Sequence, residues 1–292
     1  MADTAHSTTR GGLARILRKS LLVTFAAGML AAIVLVAVLA GLLAPHDPVS
    51  GNILDNLLPP MAQSYDGSPF VLGTDATGRD VLSAILYGTR ISLAVGIVSV
   101  VGAGIIGTAI GIVAGYFGGI VDEIFMRLVD VQLAFPFILL AIIIMFILGQ
   151  GFANVIVVLI VTTWPMYARV ARAEALRLRQ SEYVLAARSM GASRARIILR
   201  HLLPNAATPL IVIATAAVPQ MIVLEAALSF LGVGMPPNIP SWGGLLSAGR
   251  GYISQAWWVA TFPGIAIMLT VLSINILGDW LRDRLDPSLA DR

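Results

Sequence analysis

The 292-residue chain is 58% hydrophobic and only 12% charged, and its mean hydropathy is +0.88. That composition excludes a water-soluble enzyme, and the lack of cysteine, with His6, His46 and His201 far apart, argues against disulfide, thiolate and zinc chemistry. Nineteen basic against sixteen acidic residues leave a net charge of +3, too small to point to a partner.

A bilayer core about 30 Å thick needs about 20 apolar helical residues, because the backbone must satisfy its own hydrogen bonds there. The first such run is Leu21 to Ala44, uncharged and preceded by Arg10, Arg15, Arg18 and Lys19; it is too long for a signal peptide and reads as a retained span. Further spans are expected at Ile91–Phe117, Val131–Leu148, Phe152–Ala168, Ala206–Phe230 and Ala256–Leu277, giving an all-α protein with six transmembrane helices. Of the nineteen basic residues, all but Arg79, Arg90 and Arg250 fall on one side, which places both termini in the cytoplasm.

The segment after the first span carries Pro45, Pro48, Pro59, Pro60 and Pro69 and reads as a turning loop, followed at Asp75–Thr89 by a short helix on the membrane surface. In the second span, Gly107, Gly111 and Gly115 repeat every four residues and open a stripe for another helix, in the same subunit or across a dimer. Pro136, Pro165 and Pro209 lie near expected span ends, which leaves Pro219 as the candidate functional kink. Glu225 is the one ionisable residue well inside a span. It falls about 28 Å along its helix, near the outer interface, where a solvated or hydrogen-bonded structural role is favoured over proton coupling. The turn-rich segment Gly232–Gln255, with Trp242, is a candidate for the outer mouth.

The segment 169–200 holds eight arginines and two acids, so it cannot enter the bilayer. Its Ala, Leu, Arg and Glu content predicts a helix over Val170–Arg188, a turn at Gly191, and a second helix capped by Ser193 and ended by Pro204. Arginines alone would also suit an anionic lipid or nucleic-acid surface, but helix, glycine turn and proline exit together are more specific than charge.

Leu185-Ala186-Ala187, Gly191 and Pro204 resemble the EAA loop of ATP-binding-cassette importer permeases, with Leu185 in place of the name-giving glutamate, His201 in place of the usual isoleucine, and Glu182 one turn earlier. That departure resembles the peptide and nickel branch. Leu72-Gly73-Thr74-Asp75, Gly78-Arg79-Asp80-Val81, the run Glu225–Gly234, Pro240-Ser241-Trp242-Gly243, and Leu277-Gly278-Asp279 through Asp286-Pro287 are similar to the C-type subunit of dipeptide and oligopeptide permeases.

The resemblance implies a type I importer fold: a cytoplasmic tail at 1–20, a first helix at 21–44, an extracytoplasmic loop with an interfacial helix at 45–90, a five-helix core at 91–278 holding a coupling loop at 169–204, and a cytoplasmic tail at 279–292. It also implies a homologous second permease forming a heterodimer, two ATPase subunits, an extracytoplasmic solute-binding protein, and no nucleic-acid partner. The expected docking residues are Glu182, Leu185, Ala186, Ala187, Gly191 and Pro204; Arg188, Arg194 and Arg196 could pair with acidic rims on a partner, with solvated charge as their default reading. No GxxxxGK[ST] occurs and Lys19 is the only lysine, so ATP and Mg are expected on partner subunits. The competing reading, a nucleotide-independent carrier or channel, would call for paired intramembrane charges or internal repeats, which the sequence lacks. An intramembrane enzyme would need a catalytic arrangement that no span contains.

Overall fold

The computed structural model describes residues 7–65 and 67–285, with side chains described from Leu21 onward. Residues 1–6 and 286–292, including Asp286 and Pro287, lie outside the described residues. Among the described residues, five helices are long and apolar enough to cross a membrane, or six if one sharply bent pair counts as a single span.

Helix α1 (Ser7–Leu43) leads into a segment that is more ordered than its prolines suggest. A two-stranded hairpin, β1 (Ala62–Gln63) antiparallel to β2 (Pro69–Phe70), closes it. Buried Asp55 accepts from Ser64 Oγ at 2.7 Å and from Tyr65 N at 2.9 Å, while the Thr74 hydroxyl donates to Asp55 O and accepts from Leu58 N at 2.8 Å. The expected loose loop is thus a knot of side-chain to backbone bonds, the usual device where prolines deny the chain a regular ladder.

Asp80 caps the next helix by accepting from Leu82 N and Ser83 N, so α2 (Val81–Phe117) is one helix of 37 residues. The separate surface helix expected at 75–89 is therefore not found: residues 75–80 form turns, and the rest belongs to α2. Gly118, at φ +67°, ends α2 and opens α3 (Gly119–Leu133). A bend of 92° separates α3 from α4 (Phe137–Leu148), with Pro136 at the α4 cap. The third span, expected from Val131, is divided here because proline lacks the N–H that would carry the helix through and pushes its predecessor out of the α region.

Helix α5 (Phe152–Leu178) carries Pro165 in its interior and stops before 179–181, where Ser181 Oγ donates to Leu178 O at 2.6 Å. The predicted helix over Val170–Arg188 is accordingly two, the second being α6 (Glu182–Ser189). Gly191, at φ +80°, closes α6: Gly191 N donates to Arg188 O and Ala192 N to Ala187 O, both at 3.0 Å, the paired bonds of a glycine-terminated helix. Ser193 then caps α7 (Arg194–Ile197) by accepting from Arg196 N.

Pro204 does not end that helix. A π-turn at Ile198–Leu202 leads into α8 (Leu203–Phe230), and Leu203 N bonds Ile198 O across the widened turn. Widening the turn moves the proline ring away from the carbonyl it would otherwise strike, and Asn205 Nδ2 donates to His201 O at 2.6 Å. After α9 (Trp242–Gly249), α10 (Trp258–Leu285) follows and extends beyond the expected end at Leu277. The most extensive packing joins α2 to α5, with α8 against both and α1 and α10 at the flank.

Candidate coupling and transport site

The glycine stripe meets α5 of the same chain. A methyl at Gly107 would lie 2.6 Å from Tyr167 Cβ, one at Gly111 2.8 Å from Ala171 Cβ, and one at Gly115 2.8 Å from Ala175 Cβ. Each glycine therefore lets α5 backbone approach α2 more closely than any side chain permits.

Charge locks the end of this seam. Arg172 donates to both carboxylate oxygens of Asp122 on α3, at 2.6 Å for one of them, and Arg169 pairs with Asp130 at 2.7 Å. Arg179 donates to the Gly115 and Tyr116 carbonyls at 3.0 and 3.3 Å, capping the carbonyl end of α2, where a cation also suits the helix dipole. The arginines of the basic loop thus divide into structural anchors and a free set: Arg188, Arg196 and Arg200 make no ion pair among the described residues.

Helix α6 hangs between α5 and α8 by two side chains, Val184 and Ala187, which are buried against the body. Ala187, expected to face a partner, faces its own subunit instead, because positions 184 and 187 share one side of a helix. Glu182, Tyr183, Leu185, Ala186 and Met190 point outward, with Leu185 48% and Met190 82% exposed. Gly191 terminates α6, and Pro204 sits at the start of α8.

The other singled-out residues lie toward the opposite end of α8. Glu225 is fully buried rather than solvated, accepting from Ser229 Oγ at 2.8 Å and from Ser92 Oγ at 3.4 Å. Ser229 Oγ in turn accepts from Met235 N at 3.1 Å, and Ser92 Oγ from Trp242 N at 3.4 Å, so one carboxyl group gathers α2, α8 and the segment entering α9. Trp242 is 1% exposed and its Nε1 donates to Ile85 O at 3.2 Å; it is a core residue and lines no mouth. Pro219 is buried within a helix that continues for eleven residues, whereas the sharp bend falls at Pro136.

Sequence reasoning missed Gln132. Its amide donates to Val161 O, the carbonyl whose normal helical partner would be the N–H that Pro165 lacks. A proline four residues after an unpaired carbonyl, with an amide elsewhere in the chain, is a signal, but only the α3–α4 bend shows which amide reaches it.

Five long apolar helices, a bent helix pair and a short helix between two spans define, among the described residues, a multi-pass membrane protein. Residues 107–291 match the family described as binding-protein-dependent transport system inner membrane component, and residues 11–60 match the N-terminal transmembrane domain of oligopeptide transport permease C. A dipeptide transport system permease protein of Alkalihalophilus pseudofirmus is 40% identical over 94% of this chain and 88% of its own length. A glutathione transport system permease protein of Pectobacterium atrosepticum is 48% identical over 75% of this chain and 72% of its own. The inward-facing methionine ABC transporter shares the fold, with a TM-score of 0.58 at 23% identity over 70% of this chain and 97% of that one. The chain belongs to the binding-protein-dependent transport system inner membrane component family: it is the multi-pass inner-membrane permease of an ABC importer, not its ATPase, and its system includes ATPase and binding-protein partners.

Proposed function

We propose that this chain is one half of a heteromeric peptide permease, paired with a homologous second permease and fed by a solute-binding protein that delivers di- or oligopeptides or related small solutes such as glutathione. Two ATPase subunits bind ATP and Mg and dock on α6, which lies in the cytoplasm together with both chain termini. The single observation that carries the docking is α6 itself: eight residues anchored by Val184 and Ala187, with Leu185 and Ala186 facing outward and Met190 exposed at its C-terminal cap, uncovered by its own subunit. The basic residues clustered at that end support the orientation, and the peptide and glutathione permeases among the relatives support the substrate class.

The test replaces exposed residues only. Leu185→Glu and Ala186→Arg should leave the amount of membrane-inserted subunit unchanged while reducing ATPase co-purification more than about tenfold, the loss of one buried anchor worth about 1.4 kcal/mol. Undiminished recovery of ATPase with both variants refutes the docking. Uptake of a labelled dipeptide by vesicles containing the permeases without ATPase subunits would favour a nucleotide-independent carrier instead.

A further inference from the structure

Two grooves of similar size flank α8, and they differ in chemistry. The one shared with α2, about 790 Å³, is walled by Val101, Ile105, Leu203, Ala207, Ile211 and Ala214, with Thr108 polar and the Tyr167 hydroxyl buried away from the groove surface. The other, about 690 Å³, lies between α5, α8 and α10 and carries Thr208, Thr215, Ala216 and Asn275, with the Glu174–Arg177 pair, Asp279 and Arg282 at the end nearest α6. On α8, Asn205, Thr208, Val212, Ala216 and Gln220 follow one another at helical spacing, so Gln220 extends the same face one turn deeper. Gln220 and Asn275 are exposed, and neither amide has a hydrogen-bond partner among the described residues.

Hydrocarbon tolerates the first groove and not the second, because an unpaired amide has no way to satisfy its donors and acceptors in lipid. The structure assigns the Thr208–Ala216–Gln220 face of α8, together with Asn275 of α10, as a water-filled wall of the solute path, selective for neutral hydrogen-bonding groups of the peptide-bond type. Carboxamides and hydroxyls match a peptide's N–H and C=O whatever its side chains are, and the formal charges are kept to the mouth, where they meet water. This assignment deepens the peptide-importer reading and rests on it for the identity of the solute.

The absence of cysteine from the chain makes the test direct. Thr208→Cys, Ala216→Cys, Gln220→Cys and, for the apolar groove, Ile211→Cys are each placed in the complete importer in membrane vesicles and exposed to a charged, membrane-impermeant thiosulfonate, with labelling read on this chain by mass spectrometry. Positions 208, 216 and 220 should react at least about tenfold faster than 211, as expected for water against lipid surroundings, and a saturating dialanine supply with binding protein and ATP should slow them. Labelling of 211 equal to that of 216 and 220 overturns the assignment, as does labelling of 208, 216 and 220 unaffected by dialanine in an importer that transports it. An importer that shows the labelling order but moves no dialanine defeats the peptide reading alone and leaves the aqueous wall supported.

Discussion

Replacing Gly111 with alanine tests the α2–α5 seam on which the subunit is built. The added methyl would sit 2.3 Å from Ala168 O and 2.8 Å from Ala171 Cβ, whereas a comfortable carbon–oxygen approach needs about 3.3 Å, so the helices must part by about 1 Å. Overpacking of this kind costs about 1–3 kcal/mol, and the better helix propensity of alanine returns about 1 kcal/mol, for a net loss of about 0–2 kcal/mol. Gly104, on the same helix, supplies the control: a methyl added there would find its nearest neighbour, Tyr167 Cε1, at 3.7 Å, ordinary contact, so Gly104→Ala keeps only the gain. The two variants have identical composition, which cancels detergent and solvation effects, and they should differ by about 1–3 kcal/mol. The assay is the midpoint of thermal loss of the monodisperse complex in one detergent. Gly111→Ala as stable as Gly104→Ala would mean that the seam is not closely packed in the assembled protein, and the account of the glycine stripe would fail.

Gln132→Leu should destabilise by about 1–2 kcal/mol by orphaning the Val161 carbonyl, and Pro165→Ala, which restores the helical N–H, should make that same change nearly neutral; a double-mutant cycle on thermal midpoints that shows additivity would sink this reading. Glu225→Gln should be tolerated, since the amide oxygen can still accept from Ser229 Oγ while the amide nitrogen donates to Ser92 Oγ, whereas Glu225→Leu leaves both hydroxyls without their acceptor at about 1–3 kcal/mol each and should loosen 231–241, read as faster proteolytic cleavage there; equal cleavage of the two variants would contradict it.

The spans are legible because hydrophobic length is a property of the sequence alone, and the Gly107, Gly111 and Gly115 spacing names a close helix contact without naming its partner. Gly191 and Ser193 are legible for the same reason: positive φ and a capping hydroxyl are local demands that particular residue types meet. What escapes are features that depend on a second segment. Nothing near Arg179 in the sequence shows that it caps the end of α2, 64 residues earlier, and so the break at 179–181, which separates α5 from α6, lies hidden in a run of good helix formers.

The prolines depart from expectation in a consistent direction. Sequence alone has Pro204 stopping a helix and Pro219 bending one, yet the helix passes through both, while Pro136, which looks harmless near a span end, marks the 92° bend. The difference lies in who satisfies the freed carbonyls and where the ring can go. Before Pro204 a π-turn makes room for the ring; at Pro165 an amide from α3 substitutes for the lost donor. At Pro136 the chain instead turns, and the Ala134 and Phe135 N–H groups close a terminal turn on Asp130, Val131 and Gln132. A proline therefore breaks a helix in this protein where local bonds can end it cleanly, and is absorbed where a neighbouring side chain or a widened turn offers the backbone a better alternative. That rule also explains why α5 and α8, the two helices that flank the α6 hairpin, run on past Pro165 and Pro204 without a break.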